Sequence, residues 1–230
     1  MKVVGVDGCK AGWLAACLET DTNSLSFKTH RSFAELVDDY SADTFITVDI
    51  PIGLCDGPRG CDVQARKMLG PRKNSVFPAT CRAVLACSTY EQARAASLAA
   101  TGKSLSAQAF AISGKIKEVD DLMSPALQER IREVHPEVCF TGLAGAPMFF
   151  YKRDSAGYAE RQSSLLSALP GVELPGQFAA GRHLKGVAAD DLLDAVVAAW
   201  SASRVANGSA QVLPDIVETD ARGLRMEMVC

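Results

Sequence analysis

Three short apolar runs separated by turn residues open the chain. Lys2-Val3-Val4-Gly5-Val6-Asp7 is a β-branched run ending in an acid, Trp13–Glu19 is a second strand, and Leu25–Arg31 a third. Gly8–Gly12 and Asp21-Thr22-Asn23-Ser24 read as turns, so the opening predicts an antiparallel three-strand meander. Ser32, with Glu35 three residues on, predicts a capped helix over 32–40. Thr44–Ile50 is nearly continuous in apolar residues, as in a strand buried on both faces, and carries Asp49 before Pro51. Residues 52–82 are rich in Gly, Pro, Cys and Arg and show weak periodicity. From Thr89 to about Glu133 the pattern is helical, with breaks near Gly102 and Pro125. Glu133–Phe140 predicts a strand, Ser155–Leu169 a helix and Ala189–Val205 a strong last helix, before two short terminal strands. The order predicts a single α/β domain over 1–230, with an antiparallel opening, a parallel extension and a helical insertion at about 55–130.

Composition narrows the class. The chain has 230 residues, 48% hydrophobic and 22% charged, which excludes intrinsic disorder. A net charge of -3 excludes a globally basic nucleic-acid coat but not a local patch. Between Arg59 and Arg82 lie six basic residues (Arg59, Arg66, Lys67, Arg72, Lys73, Arg82) against one acid, Asp62, a local charge of +5. The run after Lys2 is too short for a signal-peptide core, and Leu192–Trp200 begins among Asp190, Asp191 and Asp194, which no bilayer span would carry. A cytoplasmic protein with no membrane partner is expected. The eight cysteines are Cys9, Cys17, Cys55, Cys61, Cys81, Cys87, Cys139 and Cys230. The spacings within Cys55/Cys61 and Cys81/Cys87 are wider than the two to four residues typical of structural zinc, so the cysteines read as small buried residues.

Carboxylates end several apolar elements. Asp7 closes the first strand, Asp49 the buried fourth. Glu137 lies in Glu133-Val134-His135-Pro136-Glu137, while Asp190, Asp191 and Asp194 open the last helix. Singly, each has a plain reading: Asp7-Gly8 starts a turn, and Asp190 or Asp191 caps a helix. Together they could converge at one edge of a sheet. Convergent carboxylates repel unless a cation sits among them, and an all-oxygen set suits Mg2+ or Mn2+. Such ions activate water and stabilise the leaving oxygen of a phosphodiester. The basic stretch would supply phosphate contacts through Arg59, Arg66 and Arg82, with Lys115 a further candidate. His135 reads as a packed, hydrogen-bonded residue. No Gly-x-Ser-x-Gly elbow, phosphate-binding P-loop or Gly-x-Gly-x-x-Gly dinucleotide fingerprint is present.

Several strings together are specific. Val6-Asp7-Gly8-Cys9-Lys10-Ala11-Gly12-Trp13, Asp49-Ile50-Pro51-Ile52-Gly53-Leu54, Arg59-Gly60-Cys61-Asp62 with Arg66, and Ser75-Val76-Phe77-Pro78 with Arg82 come first. Ser106-Ala107-Gln108, Lys115-Ile116-Lys117-Glu118-Val119-Asp120, His135-Pro136-Glu137 and Asp190-Asp191-Leu192-Leu193-Asp194-Ala195 follow. In combination, over about residues 3–200, they resemble an uncharacterised prokaryotic family described as predicted ribonuclease H-like nucleases. The resemblance implies a ribonuclease H-like fold: a five-stranded mixed sheet flanked by helices, with metal-binding acids on strand one, strand four and a late helix. Asp191-Leu192-Leu193-Asp194-Ala195 is also similar to the late helix of Holliday-junction resolvases in that superfamily, which implies Asp191 and Asp194 as ligands and Asp190 as cap. Glu137 has no equivalent in the superfamily's core pattern. The expectation is a metal-dependent phosphodiesterase acting on nucleic acid or another phosphodiester. Two alternatives remain: a non-catalytic nucleic-acid or protein-binding module, and an actin- or sugar-kinase-like nucleotide-binding protein. The latter normally uses two such lobes, whereas this chain has the length of one and no internal repeat.

Overall fold

The computed structural model describes residues 1–175 and 184–230. Strands β1 (Lys2–Cys9), β2 (Gly12–Glu19) and β3 (Ser24–His30) form the antiparallel meander that the opening predicts. β4 (Phe45–Val48) runs parallel to β1 on its other side, and β5 (Ile131–Glu133) runs parallel to β4. The result is a five-stranded mixed sheet in the order β3-β2-β1-β4-β5. β6 (Val212–Thr219) and β7 (Arg225–Val229) pair as a separate two-stranded ribbon. The helices are α1 (Phe33–Asp38), α2 (Gly60–Leu69), α3 (Tyr90–Thr101), α4 (Ala107–Ala111), α5 (Ser113–Leu122), α6 (Pro136–Ala144), α7 (Ser155–Ala168) and α8 (Ala189–Ala206). None of the described helices is long and apolar enough to cross a membrane.

Alternation along the strands divides the core into two layers. Val4, Val6, Ile46 and Val48 face Trp13, Phe33, Leu36 and Ile116 on one side of the sheet. Val3, Leu14 and Ala16 face the other side, where α8 supplies Leu192, Val196, Ala199 and others. Each fully buried Leu or Val contributes about 1.5–3 kcal/mol. The helix lies unusually close to the sheet at one place. A Cβ at Gly5 would stand 2.0 Å from the Ala199 nitrogen and 2.1 Å from the Ala195 oxygen, so only glycine admits the crossing. Beside it, the Thr47 hydroxyl donates to the Ala198 carbonyl at 2.7 Å. At α1 the Ser32 hydroxyl accepts from the Glu35 amide, while Glu35 accepts from the Arg31 amide rather than from Ser32.

Two expectations need correction. Glu133–Phe140 is not one strand: β5 ends at Glu133, and Pro136 occupies the first turn of α6, where its missing N–H costs nothing. Val138, Cys139 and Phe140 are buried by helix packing, which a short apolar run does not distinguish from a strand. The weakly periodic basic stretch contains α2, whose Cys61, Ala65 and Leu69 form a buried stripe at intervals of four. Charged neighbours mask that stripe in the sequence. All eight cysteines are free, and six are buried.

Candidate active site

β1 and β4 pair from Val3↔Phe45 to Val6↔Val48, and the Asp49 amide donates to the Val6 carbonyl at 3.0 Å. Asp7 and Asp49 therefore come next to each other where the two parallel strands end. By alternation Asp7 shares a face with Gly5, and Asp49 with Thr47. Those are the two residues on which α8 rests, and Asp194 immediately precedes Ala195, whose carbonyl overlies Gly5. The close crossing thus carries Asp194 to the strand ends. Asp7, Asp49 and Asp194 line one cavity of about 560 Å³, together with Glu137, His135 and Lys152.

Burial governs the electrostatics. The Asp7 carboxyl is held well above the usual carboxylate range, first by burial and then by Asp194, Asp49 and Asp191, with Lys152 opposing. Burial also raises Asp49, against the pull of His135 and Lys152. Asp194 is pushed up to about 6 by burial, with Lys152 opposing and Asp49 and Asp190 adding. Neither the Asp7 nor the Asp49 side chain has a hydrogen-bond partner among the described residues. The cation facing this set is Lys152, 2.5 Å from Asp194 and 3.7 Å from Asp190. Burial would lower the Lys152 ammonium, but Asp194, Asp7 and Asp190 carry it upward instead. Lys152 lies in a short irregular connection, and no sequence pattern pointed to it.

Asp191 is placed differently from the expectation. Its carboxylate accepts the Ala188 amide at 2.8 Å, so Asp191 rather than Asp190 caps α8, and it does not line the cavity. A carboxylate at the third helical position can reach back to the free amide before the helix, which one at the second position does less well. Burial raises Asp191 too. Glu137, on α6 rather than on a strand, pairs through Oε1 with Arg161 at 2.6 Å. Its Oε2 is buried with no partner among the described residues. His135 Nε2 lies 3.2 Å from the Ser75 carbonyl, while its Nδ1 is buried and unpartnered among the described residues.

The expected phosphate contacts are mostly used internally. Arg59 is 2% exposed and gives Nη1 and Nη2 to Glu133 at 2.7 Å each, with further bonds to Asp62 and to the Ile52 and Gly53 carbonyls. A planar guanidinium with five donors is well suited to such a double carboxylate clasp, and once clasped it has nothing to offer a ligand. Arg82 bridges Asp120 and Asp220, and Arg66 donates to the Val76 carbonyl. Neither lines the cavity. Lys115 does line it, with its ammonium bonded to the Gly12 carbonyl and 4.3 Å from the centre of the Trp13 ring.

Two groups bear on metal binding. Among the described residues, Cys61, Asp62 and Glu133 bring ligand atoms within 4.8 Å of one another, a spacing that could hold a metal ion. There the Arg59 guanidinium already bonds both carboxylates. The Asp7, Asp49 and Asp194 set is all oxygen, faces a cavity, and has one ion pair among the described residues, between Asp194 and a Lys152 side chain that is 38% exposed. Its donor chemistry suits a hard divalent ion, although the three carboxylates do not bring one oxygen each within 4.8 Å of one another as they stand.

No curated protein and no solved structure matches the chain. A family model described as a protein of unknown function, DUF429, matches residues 5–219, a span that takes in Asp7, Asp49, Glu137 and Asp194. The chain belongs to this family.

Proposed function

We propose that this protein is a metal-dependent phosphodiesterase, nuclease-like in chemistry, on a ribonuclease H-like fold. The observation that carries the reading is Asp7: buried in the cavity wall beside Asp49 and Asp194, without a hydrogen-bond partner among the described residues, and raised first by that burial and then by the neighbouring carboxylates. A cluster kept in that state is costly unless a cation joins it. Asp7 lies in strand one, Asp49 directly after strand four and Asp194 on a late helix, places in keeping with those the family resemblance implies, although Asp191 stands outside the cavity. The five-stranded mixed sheet is in keeping with it too.

In this reading Asp7, Asp49 and Asp194 hold Mg2+ or Mn2+, with Asp191 adding negative charge from the start of α8. The bound ion would supply charge stabilisation at a phosphoryl oxygen and a more acidic water. Lys152 pairs with Asp194 in the metal-free chain and would have to give up that contact for Asp194 to hold an ion. Glu137 presents Oε2 as an acceptor for a proton at the cavity wall, held in place by Arg161. Lys115 and Arg72 are the cavity cations left to meet phosphate.

The test is hydrolysis of bis(p-nitrophenyl) phosphate and of labelled DNA and RNA with Mn2+ or Mg2+. Wild type should cleave at least one of them, and Asp7→Asn or Asp194→Asn should lose roughly 100-fold or more. Equal activity in wild type and Asp7→Asn, or none in wild type, overturns the reading.

A further inference from the structure

The mouth of the cavity is aromatic. Phe77 and Tyr151 both line it and are 49% and 72% exposed. A single exposed ring is ordinary, but two that line the same cavity form one apolar edge to it. Tyr151 immediately precedes Lys152, whose ammonium reaches Asp194, so the ring sits one residue from the acid cluster.

The rim is built rather than loose. The Phe149 and Phe150 amides donate to Glu160 at 2.7 and 3.0 Å. The Tyr151 carbonyl accepts from the Asp154 amide at 3.0 Å, and a Cβ at Gly157 would stand 1.9 Å from that same carbonyl. Arg72 donates to the Met148 and Phe149 carbonyls at 3.0 and 2.8 Å, and its guanidinium lies 4.2 Å from the centre of the Tyr151 ring. Arg72 lines the cavity as well. One face of the tyrosine is therefore backed by a fixed cation.

We infer that the substrate enters this cavity as a single unstacked nucleotide, its base against Tyr151 and Phe77 and its phosphate toward the carboxylates. The inference rests on the phosphodiesterase reading of the same site and narrows it to a substrate class. Aromatic side chains bind unpaired bases by stacking, worth roughly tenfold or more in affinity per base. The volume of about 560 Å³ falls in the range of small-ligand pockets and accepts a nucleotide, not a duplex. A duplex-tracking surface would need a row of free cations, and Arg59 and Arg82 are spent on internal carboxylates.

The nucleotide can come from a single strand or be free, and the experiment separates the two. Binding of a fluorescent single-stranded octanucleotide in millimolar Ca2+, used in place of Mg2+ or Mn2+ to limit cleavage, is compared with an abasic octamer of equal charge and with a duplex. A nucleoside monophosphate serves as competitor. The single strand should bind roughly tenfold or more tighter than the abasic octamer, and tighter than the duplex. Tyr151→Ala should erase the preference for bases and Tyr151→Phe should keep it, with unchanged thermal midpoints showing that both variants are folded. Competition by the monophosphate at the octamer's own affinity assigns the site to free nucleotides; much weaker competition assigns it to strands. Equal binding of normal and abasic octamers, tighter binding of duplex, or no binding overturns the inference. Metal-dependent hydrolysis of bis(p-nitrophenyl) phosphate without base-dependent binding would leave the phosphodiesterase reading standing alone. Base-dependent binding without hydrolysis would do the reverse.

Discussion

The Lys152 ammonium lies 2.5 Å from the Asp194 carboxylate, joining an irregular connection to the helix that closes the sheet. Lys152 opposes the raised carboxyls of Asp7, Asp49, Asp191 and Asp194, with His135 adding at Asp49 and Arg153 at Asp191. Lys152→Met should lower the stability of the metal-free protein. Breaking a fully buried pair costs about 3–5 kcal/mol, and the partial exposure of this lysine reduces that to about 1–2 kcal/mol. Denaturant unfolding in chelator measures it. Added Mn2+ should restore more stability to Lys152→Met than to wild type; a smaller gain would mean that the lysine does not stand in for the ion.

Gly5 determines whether the third acid arrives at all. Gly5→Ala drives a methyl group into the backbone of α8 at Ala195 and Ala199. Overpacking against backbone that cannot yield should cost about 3 kcal/mol or more. Circular dichroism melts would show it, and a variant as stable as wild type would contradict the close crossing.

Stability should depend on pH in a direction opposite to that of ordinary ion-paired acids. Folding raises the Asp194 carboxyl from a usual 3.8 to about 6, so the folded state favours its protonated form. That contribution is fully present below pH 3.8 and is lost as pH rises through 6. In metal-free protein, raising the pH from about 4 to 7.5 should therefore cost wild type on the order of 2–3 kcal/mol relative to Asp194→Asn. Denaturant midpoints of the two proteins across this window measure the gap, and a gap that moves the other way refutes the assignment.

Arg59 should behave as part of the core. Arg59→Ala leaves Glu133 and Asp62 buried without their partner, and the loss should be about 3–5 kcal/mol, enough to unfold a marginal domain. Arg59→Ala combined with Glu133→Gln should recover part of it. A stable single variant with weakened phosphate binding would return Arg59 to the role expected from sequence.

The strand ends were legible because their signal is local. A β-branched run stopping at Asp7 and an apolar run reaching Asp49 mark buried strands whose polar termini must emerge together, and the apolar helix around Asp194 had to cover them. What hid the rest was distance along the chain. Arg59 is spent on Glu133, 74 residues away, and Arg82 on Asp220, 138 away, so neither pairing leaves a trace in spacing. The sequence puts Glu137 on a strand because three residues of β5 and a proline-led helix form one apolar run. Lys152 and Tyr151 sit in a connection with no period at all; contacts distant in sequence place them, from Gly157 against the Tyr151 carbonyl, Arg72 against the Tyr151 ring and Asp194 at the Lys152 ammonium.

The measurement closest to the central claim is thermal unfolding of wild type and Asp7→Asn with and without millimolar Mn2+ or Mg2+. An ion at about 100 times its dissociation constant adds roughly 2.7 kcal/mol to the folded state. Wild type should show a raised midpoint with metal, and Asp7→Asn, folded and at least as stable without it, should show none. An equal shift in both proteins, or no shift in wild type, would contradict a metal centre at Asp7, Asp49 and Asp194.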